Sequence, residues 1–223
     1  MAIFRRLATA RPDAFEPDLA KSLTNLGKDF SKLGRREAAL VATEEAVAIY
    51  RRLFTARPDT FEPDLAVSVD NLGLMLSALG RQEAALAATE EAVAIRRRLA
   101  TARPDVFEPD LARSLSNLGI PFFNLGRHEE ALTAIEEAVV IYRRIATARP
   151  DAFEPDLAIS LNNLSELLLS LARTVESIAA AKEGIERLTP HHDRNPSAHQ
   201  ALMDELTATL AKSRAARDGG GTA

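Results

Sequence analysis

The stretch FEPDLAKSLTNLG, from Phe15 to Gly27, decides how this chain is read. It returns as FEPDLAVSVDNLG from Phe61, FEPDLARSLSNLG from Phe107 and FEPDLAISLNNLS from Phe153, each copy 46 residues after the last. The Arg-Pro-Asp of Arg11, Arg57, Arg103 and Arg149 keeps the same spacing, as do Asn25, Asn71, Asn117 and Asn163. A fixed period in the range of about 20–50 residues marks stacked repeats, in which one core is extended unit by unit.

Within one period, residues 12–57, two helices are predicted. Glu16-Pro17-Asp18 starts the first, with proline where a missing N–H costs nothing and acids near the positive end of the dipole. Leu19, Leu23, Leu26, Phe30 and Leu33 then form one helical face, and Gly34 ends it. The second helix is predicted from about Arg36 to Ala56, with an inner stripe of Ala39, Thr43, Ala46, Tyr50 and Leu53. Leu40 and Val47 widen that stripe, and Pro58 stops the helix. The short Gly34-Arg35 turn makes the helices antiparallel neighbours. A lone hairpin would leave its widened apolar face wet, so the next one must cover it. Gly27, Ala39 and Ala46 are small where the helices should cross most closely. Phe15 and its counterparts are expected just ahead of each first helix, plugging the joint between units.

The pattern N-L-G-x-x-[FL]-x-x-L-G-R-x-E-A-A-L-x-x-T-E-E-A-V is carried in the first full unit by Leu26, Gly27, Phe30, Gly34, Ala39 and Ala46. It resembles the tetratricopeptide repeat in its longer, kinesin-light-chain form, over about residues 2–188. The resemblance implies an all-α, right-handed superhelical solenoid of antiparallel helix hairpins whose first helices line a concave groove. Two departures stand out. The unit exceeds the usual ~34 residues, with the excess placed in the Thr9–Pro17 junction and a longer second helix. Thr43, Thr89 and Ile135 also stand where the family usually has an aromatic residue.

The period divides the chain into a partial second helix at 1–11, repeats at 12–57, 58–103 and 104–149, and a degenerate fourth at 150–190. In the fourth, Ser165 and Ala172 replace glycines and Gly184 weakens the second helix. Residues 189–196 are expected as a proline-bounded loop. A capping helix then carries Leu202, Leu206 and Leu210 to about 217, before a disordered tail at 218–223. The chain opens in mid-unit, which is the expectation for a fragment of a larger protein with an added start methionine. Arginine over lysine, with abundant alanine, points to a GC-rich bacterial source.

Composition limits the function. Charged residues make up 27% of the chain and the formal net charge is −4, which gives no general attraction to nucleic acid or an anionic membrane. There is no cysteine, which removes thiol chemistry and fits a reducing, cytoplasmic setting. No signal segment or membrane span is read at the start. No G-x-S-x-G, P-loop or H-E-x-x-H occurs, so the chain reads as non-enzymatic and without cofactors. His191-His192-Asp193 could ligate a metal but lacks further ligands at fixed spacing, so no metal site is assigned.

The candidate site is the first-helix face beside the core stripe. It comprises Lys21, Asn25, Lys28 and Lys32, then Val67, Asn71 and Leu74, then Arg113, Asn117, Ile120 and Asn124, and Asn163, with Glu166 and Ser170 following. In proteins of the resembled family, this asparagine hydrogen-bonds the backbone of an extended peptide, and an amide suits a peptide bond because it both donates and accepts. The basic start and apolar middle would match a protein or peptide ligand with carboxylates at one end and apolar anchors further on. The competing reading has the asparagines brace neighbouring helices. Pro121, inside a first helix, either kinks it and frees the Asn117 carbonyl or is a tolerated change. The pairs Arg5/Arg6, Arg51/Arg52, Arg97/Arg98 and Arg143/Arg144 form either a basic stripe for phosphate or acidic partners, or a structural ladder with Glu44/Glu45, Glu90/Glu91 and Glu136/Glu137. The leading expectation is a protein-interaction scaffold. The alternatives are self-association through exposed repeat ends (Ile3, Phe4 and Leu7), giving a homo-oligomer, and the sensor arm of a larger bacterial signalling ATPase or protease-linked protein.

Overall fold

Each period resolves into two helices of 21 residues, a three-residue turn and one joint residue, which together account for all 46 positions. A computed structural model describes residues 2–219. Its helices are α1 (Ala2–Ala10), α2 (Pro12–Lys32), α3 (Arg36–Ala56), α4 (Pro58–Ala78), α5 (Gln82–Ala102), α6 (Pro104–Asn124), α7 (His128–Ala148), α8 (Pro150–Ser170), α9 (Thr174–Arg194) and α10 (Pro196–Gly219). No strand occurs among the described residues. The expected start methionine and tail residues 220–223 lie outside the described residues.

The joint residue explains the Arg-Pro-Asp-x-Phe motif. Arg57 is extended (φ −144°, ψ 76°) and closes α3 and opens α4 at once. Its N–H donates to the Leu53 carbonyl at 2.9 Å, while its own carbonyl accepts from the N–H groups of Thr60 and Phe61. Pro58 follows at the first helical position, where its φ is already helical. The Arg57 guanidinium lies 4.8 Å from the centre of the Phe61 ring, and Arg103 over Phe107 and Arg149 over Phe153 repeat the stack. Such a cation–π contact is worth about 0.5–1 kcal/mol at an exposed site.

The first helices therefore begin at Pro12, Pro58, Pro104 and Pro150, not at Glu16 and its counterparts, and Phe15 lies inside α2 instead of before it. Pro17 sits in the second turn, where it deprives only the Asp13 carbonyl of a donor. The expected loop at 189–196 is helix as far as Arg194. Asn195, at φ −146° and ψ 78°, takes the joint geometry that Arg149 holds one period earlier. Pro190 is exposed within α9, on a side where water can replace the missing donor. Helix α10 runs to Gly219, so Asp218 and Gly219 are its last residues and not part of a tail. Gly184 does not interrupt α9 either. A Cβ there would meet Leu206 Cδ2 at 2.7 Å, so the glycine admits α10. Helix α6 is likewise continuous through Pro121, whose ring is buried.

The chain divides into two units, Met1–Phe107 and Glu108–Ala223. In the first, α2 pairs with α3 and α4 with α5, and α3 packs on α4. The core runs through Leu19, Leu23, Ala39, Ala46, Val69 and Ala92, all nearly inaccessible. In the second, α7 packs on α8 and α8 pairs with α9, while α10 closes over α9 and α8. Leu157, Leu161, Leu188 and Leu206 are fully buried there.

Hairpin crossings depend on a paired choice of residues. Gly27 and Gly73 face Thr43 and Thr89, and Gly119 faces Ile135, each too close for an added Cβ. In the last hairpin Ser165 replaces the glycine, and Ala181 stands where the others have threonine or isoleucine. The Ser165 hydroxyl donates to the Ser177 carbonyl at 2.9 Å, and the Ser177 hydroxyl to the Ser165 carbonyl at 2.7 Å. Volume removed on one helix is returned on the other.

Candidate functional site

The first helices of successive hairpins touch through buried hydroxyls. Thr24 and Ser68 are 3.2 Å apart between α2 and α4, and Ser116 and Ser160 are 2.9 Å apart between α6 and α8. The predicted site residues lie on the same helices, at positions more open to solvent than these contacts.

In the first unit, Lys21, Asn25, Lys28 and Lys32 are exposed on α2, and Val67, Asn71 and Leu74 are half-buried on α4. Lys28 and Lys32 make no ion pair within 4 Å among the described residues. Lys21 lies near Asp64, whose carboxyl burial pushes up while the lysine pulls it back. The Asn71 Nδ2 is shut from solvent and has no acceptor among the described residues. An unsatisfied buried donor costs about 1–3 kcal/mol, which rotation of the amide toward an incoming carbonyl would relieve.

In the second unit, Arg113, Ile120 and Asn124 are exposed on α6, Asn117 is half-buried there, and Asn163 is half-buried on α8. Arg113 is paired with Asp110 and also faces Asp156, whose carboxyl is raised by burial. It is therefore a neutralised cation. A cleft of about 220 Å³ indents this face, walled by Ile120, Phe123, Ile135 and Leu167, with Asn163 and Glu166 supplying polar groups.

The arginine ladder joins hairpins together. Arg5, Arg51 and Arg143 reach Glu45, Glu91 and Glu183 of the next second-type helix at 2.5–2.6 Å. Arg52, Arg98 and Arg144 reach back to Glu16, Glu62 and Glu108 of their own hairpins at 2.6–2.7 Å. The glutamates come mostly from the Phe-Glu-Pro motif and the Glu-Glu pairs, and the contacts bridge helices instead of running along one. In the last hairpin Glu154 takes His191 Nε2 at 3.0 Å and Arg187 at 3.4 Å. His192 Nε2 lies 2.9 Å from the Gln200 side-chain oxygen, so the two adjacent histidines have separate partners.

Sequence reasoning missed one pair. Arg96, only 2% exposed, lies 3.5 Å from the similarly buried Asp70. It replaces Tyr50 and Tyr142, and Asp70 replaces Thr24 and Ser116 at the matching first-helix position. The double departure from the period was the available signal. Phe123 was missed too, where earlier periods have Ser31 and Ser77.

The sequence profile of the tetratricopeptide repeat matches residues 19–57, 65–100 and 111–146. The chain thus belongs among the tetratricopeptide repeat proteins, a class of protein-interaction scaffold. Solved structures agree on the fold. The chain is similar to a single-residue variant of a kinesin light chain candidate from Podosopora anserina with nearly identical TPR-like repeats, at 20% identity and a TM-score of 0.67, over 89% of this chain and 86% of that one. It is also similar to BtubC (BKLC) from P. vanneervenii, at 18% identity and a TM-score of 0.63, over 100% and 88%. A Rap protein complexed with Competence and Sporulation Factor matches at 15% identity and a TM-score of 0.65, over 89% of this chain and 55% of that one. A search of curated proteins returns no match. No helix among the described residues is long and apolar enough to cross a membrane.

Proposed function

We propose that the chain is a non-enzymatic scaffold whose first-helix faces hold an extended segment of a partner protein. Asn25 and Asn71 in the first unit, and Asn117 and Asn163 in the second, engage the partner backbone, and the residues beside them on the same helices select its side chains. The observation that carries this reading is the Asn71 carboxamide, half-buried on α4 with its Nδ2 lacking an acceptor among the described residues. A bracing role would require a bond to the neighbouring helix there. Lys28 and Lys32, free of ion pairs among the described residues, favour carboxylates on the partner segment near α2, while Val67 and Leu74 favour apolar residues near α4. The Rap protein solved with its factor is a structural precedent for a fold of this kind holding a ligand.

The test is panning of a peptide-phage library on the intact chain and on an Asn71→Ala, Asn117→Ala variant of unchanged helicity. The proposal expects enrichment on the parent chain and its loss on the variant. Equal enrichment on both leaves the asparagines only a bracing role. A second reading, self-association, draws on the exposure of Ile3 and Leu7, although Phe4 is half-buried against the core. It predicts a sedimentation coefficient that rises with concentration, where a pure binding module gives a constant one.

A further inference from the structure

The cleft between α6 and α8 differs from the matching positions on the earlier first-helix faces. Ser31 and Ser77 become Phe123, and Thr43 and Thr89 become Ile135. In the second hairpin the Ser77 hydroxyl bonds Gln82. In the third, Phe123 instead lies 5.3 Å, ring centre to ring centre, from His128. The two hydroxyl positions have thus turned apolar together, and while Ile135 is buried, the Phe123 ring is not consumed by the core. Phe123 and Ile120 are each 41% exposed, beside a cleft that Gly119 and Ile135 also line.

The volume decides the size of the occupant. A dry cavity of about 150 Å³ admits benzene, and sites for drug-sized ligands run from about 300 Å³ upward. At about 220 Å³ the cleft suits one phenylalanine- or leucine-sized side chain. The charge beside it is a carboxylate. Glu166 is exposed, lines the cleft and makes no ion pair within 4 Å among the described residues. Lys212 lines a neighbouring hollow with Glu166 but lies beyond ion-pair distance. Asn163, on α8, offers an amide to the backbone of whatever enters.

We infer that this cleft is an anchor subsite for a partner segment in which one large apolar residue, aromatic or branched aliphatic, is followed by a basic one. The apolar side chain seats between Ile120, Phe123 and Leu167, and its neighbour's cation meets Glu166. The inference rests on the peptide-holding reading for the idea that the occupant belongs to a protein, but the two fail separately. Seating a single side chain does not need Asn71 or Asn117, whereas capture of a long segment does.

The test uses three probes on the whole methyl-labelled chain: N-acetyl-Phe-Lys-amide, N-acetyl-Phe-Glu-amide and N-acetyl-Ala-Lys-amide. Binding is read from the methyl resonances of Ile120, Ile135 and Leu167. The expected result is a saturable shift of those methyls with Phe-Lys, about threefold weaker affinity for Phe-Glu, in line with one exposed ion pair, and no shift with Ala-Lys. Phe123→Ser restores the residue that two other hairpins carry, so it should fold, and it should lose the response. Glu166→Gln should keep Phe binding and erase the preference for Lys. Unmoved methyls, a response that survives Phe123→Ser, or equal binding of Phe-Lys and Phe-Glu by the parent chain would overturn the inference.

Discussion

Ala172 holds a backbone angle that L-residues avoid. Its φ of 58° lies near the 70–75° of Gly34, Gly80 and Gly126 at the same turn, but it carries a Cβ into that region. The left-handed conformation costs roughly 1–2 kcal/mol for such a residue. Ala172→Gly should therefore stabilise the last hairpin by about 0.5–1 kcal/mol, after the added freedom of glycine in the unfolded chain is subtracted, and raise its urea midpoint accordingly. An unchanged or lower midpoint would show that the turn is not strained. Arg96 and Asp70 make the opposite kind of prediction. Removing one member of a buried ion pair costs about 3–5 kcal/mol, because a charge is left without its counter-charge. Arg96→Ala should fall in that range by chemical denaturation. The double change Arg96→Tyr, Asp70→Thr installs what the first hairpin carries and should recover most of the loss.

At the level of the element, crossings and joints matter more than helix propensity. Gly119→Ser should destabilise by about 1–3 kcal/mol through overlap with Ile135. Adding Ile135→Ala reproduces the Ser165–Ala181 arrangement and should restore part of the midpoint, since the new hydroxyl can reach the Ala131 carbonyl. The half-buried Asp156 on α8 gives a pH test. Burial raises its carboxyl pKa above the unfolded value despite Arg113, so between those two values the folded chain binds more protons than the unfolded one. Stability then falls as pH rises through that window. Asp156→Asn should accordingly be more stable than the parent near pH 7, with the gap in denaturant midpoint closing as pH is lowered toward about 4, where an ordinary carboxylate begins to protonate. A gap independent of pH would refute this.

The helical stripes and the glycine turns were legible because periodicity and positive φ leave plain marks in sequence. The joints were not. Pro12 and Pro17 lie five residues apart, each is followed by an aspartate, and either could open a helix, though an interior proline is normally costly. The molecule accepts that cost at Pro17, where the arginine joint and the Arg–Phe stack have already set the first turn. Pro190 misled in the same way, although Asn195-Pro196 sits one period beyond Arg149-Pro150 and marked the true joint. The candidate positions were legible as exposed or half-buried positions on the first helices, but their partners mostly were not. The i,i+3 spacing of Asp110 and Arg113 was there to be read as an ion pair, but nothing in the repeat shows that Phe123 would stand open beside a cleft.

Across the whole chain, a net charge of −4 is distributed by repetition. Most of the arginine ladder pairs with glutamates of adjacent helices, so no continuous basic stripe is left along it among the described residues. Lys28, Lys32 and Glu166 on the first helices have no ion-pair partner among the described residues, and neither do Glu44, Glu90 and Lys182 on the second helices. Lys28, Lys32 and Glu166 have different residues at the matching positions of the other hairpins, while the joint geometry and most of the ladder repeat, and the crossings change only by paired substitution. A scaffold divided in this way can alter what it recognises without altering how it folds. The measurement that bears most directly on that account is hydrogen–deuterium exchange of the chain with and without a peptide selected on it. The account predicts added protection on α2, α4, α6 and α8, with α3, α5, α7 and α9 unchanged. Protection confined to the second helices of the hairpins would contradict it.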